Sequence, residues 1–114
     1  MSMTKHKSAT FGEVVVLHLK GKLMGGPEST EVTEELKSQV AIGVKKFVID
    51  LGDVEWMNSS GLGLLIGGLT TIRNAGGSLY LARVTEKIES LLVITKLSSV
   101  FDSAGTVEEA LTRV

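Results

Sequence analysis

The stretch Val48-Ile49-Asp50-Leu51-Gly52-Asp53-Val54-Glu55-Trp56-Met57-Asn58-Ser59-Ser60-Gly61-Leu62-Gly63 decides the fold. Its beginning completes a short β run, residues 45–51, in which Phe47-Val48-Ile49 is unbroken by a polar residue. Such a run suits a strand buried on both faces, as in a parallel sheet covered by helices. Its end opens a helix expected over residues 60–74. There Leu62, Leu65, Leu69 and Ile72 fall on one face, and Ala75-Gly76-Gly77 supplies the stop. Residues 52–60 between them read as a loop. Asn58, Ser59 and Ser60 are all good helix caps, because their side-chain oxygens accept from the free amides of a first turn. Capping does not explain Trp56 and Met57, large apolar side chains in a segment that should lie near the surface. Folded down they join the core; left exposed they form a partner-binding patch.

Working outward, Ser78 to Ala82 is the next strand, so strand, helix and strand alternate. Upstream, Val14-Val15-Val16-Leu17-His18-Leu19 is a β-branched strand ending at Gly21. Val15, Leu17 and Leu19 share one face, and Val14, Val16 and His18 the other. Residues 5–10 can pair with it as a hairpin around Phe11-Gly12-Glu13. After the turn Met24-Gly25-Gly26, Pro27 suits a first helical position, and Val32, Leu36 and Val40 give a stripe on a helix over residues 27–42. Downstream, Thr85 caps a helix carrying Ile88, Leu91 and Leu92, and Val100-Phe101 is a short strand or connector. Thr106-Val107-Glu108-Glu109 matches a capping box before a last helix with Ala110, Leu111 and Val114 on its apolar side. The expected fold is one α/β domain over residues 1–114, with about four helices on a mixed, mostly parallel sheet. Its order is β-β-α-β-α-β-α-(β)-α, with right-handed crossovers.

Composition narrows the function. The 12 basic and 13 acidic residues leave a net charge of −1, and the five aromatics are scattered. No excess positive charge exists to hold a phosphate backbone, so nucleic-acid binding is disfavoured. Absence of cysteine removes disulfides, thiol nucleophiles and thiolate metal sites, and two histidines are too few for a zinc cluster. No cofactor is called for. The polar first ten residues lack the apolar core of a signal peptide. The longest uncharged run, residues 56–72, carries four glycines and five polar side chains, too polar to span a bilayer. A soluble, cytoplasmic domain is expected, monomeric or weakly dimeric.

Enzyme readings fare poorly. Gly61-Leu62-Gly63-Leu64-Leu65-Ile66-Gly67 misplaces the third glycine of a dinucleotide fingerprint, so Gly67 and Gly68 are better read as permitting close helix–sheet packing. A nucleophilic Ser59 or Ser60 would need a base and an orienting acid. The only histidines, His6 and His18, lie on or before the first strands. His18 reads as a solvated or satisfied side chain. Glu34-Glu35 and Glu108-Glu109 read as solvated helix faces.

The stretch ending in Asn58-Ser59-Ser60-Gly61-Leu62-Gly63 resembles the signature of STAS domains, the anti-sigma factor antagonists of bacteria. Gly21-Lys22-Leu23, Asn74-Ala75-Gly76-Gly77 and Glu109-Ala110-Leu111 extend the resemblance over nearly the whole chain. The resemblance implies a phosphorylation switch and not an enzyme. Ser59 would be phosphorylated by a partner serine kinase that doubles as the anti-sigma factor. Unphosphorylated, the domain would bind that kinase and free a sigma factor; a metal-dependent serine phosphatase would reset it. Met24, Gly25, Trp56, Met57, Asn58, Ser60 and Gly61 would surround Ser59 on the partner-binding surface. The family usually has Asp where this chain has Asn58, and an acidic residue where it has Met24. Those two neutral positions support an alternative, an unphosphorylated STAS scaffold subunit of a stress-signalling or lipid-transport complex.

Overall fold

The computed structural model describes residues 4–24 and 26–114. Five strands form one sheet in the order β1-β2-β3-β4-β5. They are β1 (Thr4–Phe11), β2 (Val14–Leu23), β3 (Lys46–Met57), β4 (Ser78–Ala82) and β5 (Asp102–Ala104), with α1 (Pro27–Ala41), α2 (Ser59–Asn74), α3 (Glu86–Ile94) and α4 (Val107–Arg113) between and after them. β1 and β2 are antiparallel, joined through Gly12 and Glu13 with Phe11 opposite Val14, and every later pairing is parallel. The expected element order and mixed sheet are both present.

Because strand order follows chain order, each right-handed crossover steps the same way and puts its helix on the same face. Val32 and Leu36 of α1, Leu62, Leu65, Leu69 and Ile72 of α2, and Ile88 and Leu92 of α3 share one core with Val15, Leu17, Leu19, Phe47, Ile49 and Leu81. The opposite face is covered by α4, whose Ala110 packs on Val14, Val16, Val48, Ala82 and Ala104. The two faces assigned to β2 from its alternation thus bury against different layers.

Two sequence expectations need correction, and one open alternative is decided. Residues 52–57 are not a loop: β3 continues to Met57 and pairs with β2 as far as Leu23, which also carries β2 past Gly21. Of the two readings of Val100-Phe101, strand or connector, the connector holds: Phe101 is a core residue and β5 runs Asp102–Ala104 after it. Gly67 faces open space. Gly68 does allow a close approach, but to a helix and not to the sheet, since a Cβ there would lie 3.0 Å from Leu36 Cδ1 of α1.

Candidate functional site

β3 brings Asn58 and the start of α2 to their place by bending twice. Asp50 pairs with His18 and Asp53 with Lys20, so β3 spends three residues where β2 spends two. Between Val54↔Gly21 and Trp56↔Lys22 it again spends one extra, two residues where β2 spends one. These are β-bulges, each inserting one residue and re-aiming the strand. They change the inward-facing period from two to three, so that Leu51, Val54 and Met57 all reach the core. Met57 is 2% exposed, whereas its neighbour Trp56 is 41% exposed beside its cross-strand partner Lys22. The two apolar residues therefore divide, one to the core and one to the surface.

β3 ends on Asn58, the N-cap of α2. Asn58 Oδ1 accepts from the Gly61 amide at 3.0 Å. Its backbone amide donates to the Leu23 carbonyl at 3.3 Å, and Nδ2 donates to the Met24 carbonyl at 3.4 Å. Through its backbone amide and its side chain, this one residue ties the end of β2, the corner before α1 and the start of α2 together. Gly61 is the complementary feature: a Cβ built there would fall on the Leu23 carbonyl oxygen and within 2.8 Å of its carbon. Only glycine lets α2 start this close to β2.

Ser59 and Ser60 follow as the first two helical residues, and both are exposed. No acidic side chain occupies the first turn of α2. A helix N-terminus carries roughly half a positive charge on its free amides, so this position accommodates an added anion. Among the predicted site residues, Met24, Trp56, Asn58, Ser59 and Ser60 come together around the α2 N-terminus with some surface. Met57 and Gly61 lie buried beneath it, as supports, and Gly25 lies outside the described residues.

A second polar cluster, unforeseen from sequence, holds the first bulge. Asp50, its side chain 4% exposed, accepts from His18 Nδ1 (2.7 Å), Arg83 Nε (2.8 Å), Arg83 Nη2 (3.0 Å) and the Gly52 amide (2.9 Å). Burial pushes the Asp50 carboxyl up. The hydrogen bonds from Arg83, Gly52 and His18, with the charge of Arg83, outweigh it and hold the group below its ordinary value. Arg83 is held correspondingly above its own, through its hydrogen bond to Asp50 first. His18 is therefore a satisfied side chain, as one of the two sequence readings had it. The available signal was Asp50 itself, a carboxylate inside a strand read as buried on both faces, which demands partners. Among the described residues no group of three or more metal-ligating side chains converges, and no helix is long and apolar enough to cross a membrane.

Comparison with known proteins agrees with this architecture. The STAS domain family model matches residues 5–110. In sequence, the chain is 33% identical over 72 residues to a Thermotoga maritima protein described as a candidate anti-sigma factor antagonist. That match covers 63% of this chain and 64% of the relative. It is 37% identical over 60 residues to the anti-sigma-B factor antagonist of Bacillus subtilis, covering 53% of this chain and 55% of that protein. Each match spans less than two thirds of the relative's own length. In structure, the chain superposes on the crystal structure of the Thermotoga maritima protein with a TM-score of 0.85 at 25% identity, over 96% of this chain and 93% of the other. It superposes on the phosphorylated form of the Bacillus cell-fate determinant SpoIIAA with a TM-score of 0.75 at 21% identity, over 95% and 97%, a likeness of fold.

Proposed function

The chain belongs to the STAS domain family, and from that membership we propose that it is an anti-sigma factor antagonist switched by phosphorylation of Ser59. The observation that carries the reading is the presentation of Ser59. Its hydroxyl stands exposed at the start of α2, on a backbone fixed by the Asn58 cap and by the close approach of Gly61 to Leu23. The names of the sequence relatives support the antagonist role.

In this reading the unphosphorylated domain docks its α2 N-terminus, with Trp56, Met24, Asn58 and Ser60 around it, on an anti-sigma factor that is also the serine kinase. Docking releases the sigma factor. Transfer of phosphate to Ser59 adds about −1.5 to −2 charges at neutral pH. The free amides of the first turn tolerate that charge, so the fold persists and the penalty falls on the interface. A hundredfold loss of affinity needs only about 2.8 kcal/mol, which a desolvated phosphate supplies. A metal-dependent serine phosphatase restores the binding form. The protein acts as a binding switch and not as an enzyme.

A second reading is favoured by one observation. Asn58 donates from Nδ2 to the Met24 carbonyl, a bond an aspartate in its place could not make. A neutral, fixed surface of this kind suits a constitutive scaffold subunit. Substitution separates the two. The switch requires that Ser59→Asp abolish capture of the anti-sigma factor and Ser59→Ala preserve it; equal capture by both variants reduces Ser59 to a helix residue.

A further inference from the structure

β3 parts from β4 at Asp50, its last paired residue there, and reaches Asn58 and Ser59 as half of a two-stranded ribbon with β2. The direction of that ribbon is set by the bulges, and the first of them is gripped from outside by one side chain. Arg83, the residue after β4, donates from Nε and Nη2 to Asp50. Its Nη2 also lies 3.6 Å from Asp53 Oδ2, so the guanidinium holds the carboxylates on both sides of the bulge. Gly52, between them, has no space for a Cβ because the guanidinium fills it. Arg83 itself has φ 52°, a left-handed conformation unusual for an arginine. Such a conformation persists only where surrounding contacts over-determine it, and it clusters at sites where geometry matters.

We propose that Arg83 is a positioning residue for the Ser59 site: by clamping the Leu51–Gly52 bulge from the flanking Asp50 and Asp53 it fixes the direction in which β3 presents Asn58 and Ser59. This rests on the reading of Ser59 as the phosphorylated serine. Arg83→Gly removes the clamp while relieving the left-handed backbone, which offsets part of the lost stability. Arg83→Lys keeps the charge but loses the planar fork that spans two acceptors.

Wild type and both variants are tested in two ways, after thermal unfolding has shown which of them fold. The first is the position of the Asn58, Ser59 and Ser60 amide resonances in the isolated, isotope-labelled chain. The second is the initial rate of Ser59 phosphorylation with Mg-ATP and clarified extract of the source cells. The expected result is displaced resonances at residues 58–60 in a folded variant, and phosphorylation slowed roughly tenfold to a hundredfold, the scale on which small misplacements act. Unmoved resonances in a folded variant overturn the positioning role, as does an unchanged rate when wild type is phosphorylated. If wild type itself takes no phosphate, the reading of Ser59 fails. Displacement of the resonances then still decides whether Arg83 sets the geometry of this segment.

Discussion

Replacing Gly61 with alanine tests whether the close approach of α2 to β2 builds the site. The added Cβ would fall on the Leu23 carbonyl oxygen and 2.8 Å from its carbon, whereas non-bonded carbons rest at about 3.5–4.0 Å. The start of α2 must therefore move by about 1 Å. That movement strains three bonds at once: Gly61 amide to Asn58 Oδ1, Asn58 amide to the Leu23 carbonyl, and Asn58 Nδ2 to the Met24 carbonyl. Overpacking of this kind costs about 1–3 kcal/mol, and loss of an N-cap about 1 kcal/mol more. Alanine regains about 1 kcal/mol in helix propensity, leaving a net loss of roughly 2 kcal/mol. For a chain of this size the melting temperature falls by roughly 10 °C. Gly63→Ala is the matched control, since a Cβ there meets nothing within 4 Å. It gains the propensity without the clash and stabilises by about 1 kcal/mol. Urea and thermal unfolding of both variants measure the difference. Equal stability of Gly61→Ala and Gly63→Ala would refute the packing argument.

Asp50, held below its ordinary value, contributes stability that is present above the unfolded carboxylate pKa of about 3.9. That stability is lost as pH falls through the lower folded value. Urea unfolding between pH 2 and 7 should show this acid-side loss shrink in Asp50→Asn, which at neutral pH is itself destabilised by about 2–4 kcal/mol, Arg83 being half-exposed and able to turn to water. Asn58→Ala should cost about 1 kcal/mol by thermal unfolding through loss of the α2 cap, and Asn58→Asp less, because the carboxylate still accepts from Gly61. Ser59→Asp places an acid in a first turn that has none and should raise stability by about 0.3–1 kcal/mol at low salt. A drop instead would contradict the claim that the fold tolerates charge there.

What the sequence made legible was local. The apolar positions 62, 65, 69 and 72 and the glycines at 76 and 77 set α2, and all four apolar residues are buried. Thr85 and Thr106 cap α3 and α4 through the amides three residues on, as their spacing implied. The misread segment, residues 52–57, follows from the two bulges. Leu51, Val54 and Met57 recur every third residue, a period that signals neither strand nor helix, so the division of Met57 to the core and Trp56 to the surface was invisible. The Asp50–Arg83 pairing joins residues 33 apart through a left-handed backbone at Arg83, and no local pattern announces it. Of the residues expected around Ser59, Met24, Trp56, Met57, Asn58, Ser60 and Gly61 lie at the start of α2, and Gly25 is outside the described residues. Buried supports and exposed surface separate only once Gly61 is seen against the Leu23 carbonyl.

The proposed switch stands or falls on phosphorylation of Ser59. Its most direct test is phosphosite mapping by mass spectrometry of the chain incubated with Mg-ATP and extract of the source cells, beside a Ser59→Ala control. The expected result is a single phosphate, on Ser59, absent from the control. No phosphate on Ser59, in an extract that phosphorylates other STAS proteins, would contradict it and leave the constitutive scaffold as the better reading.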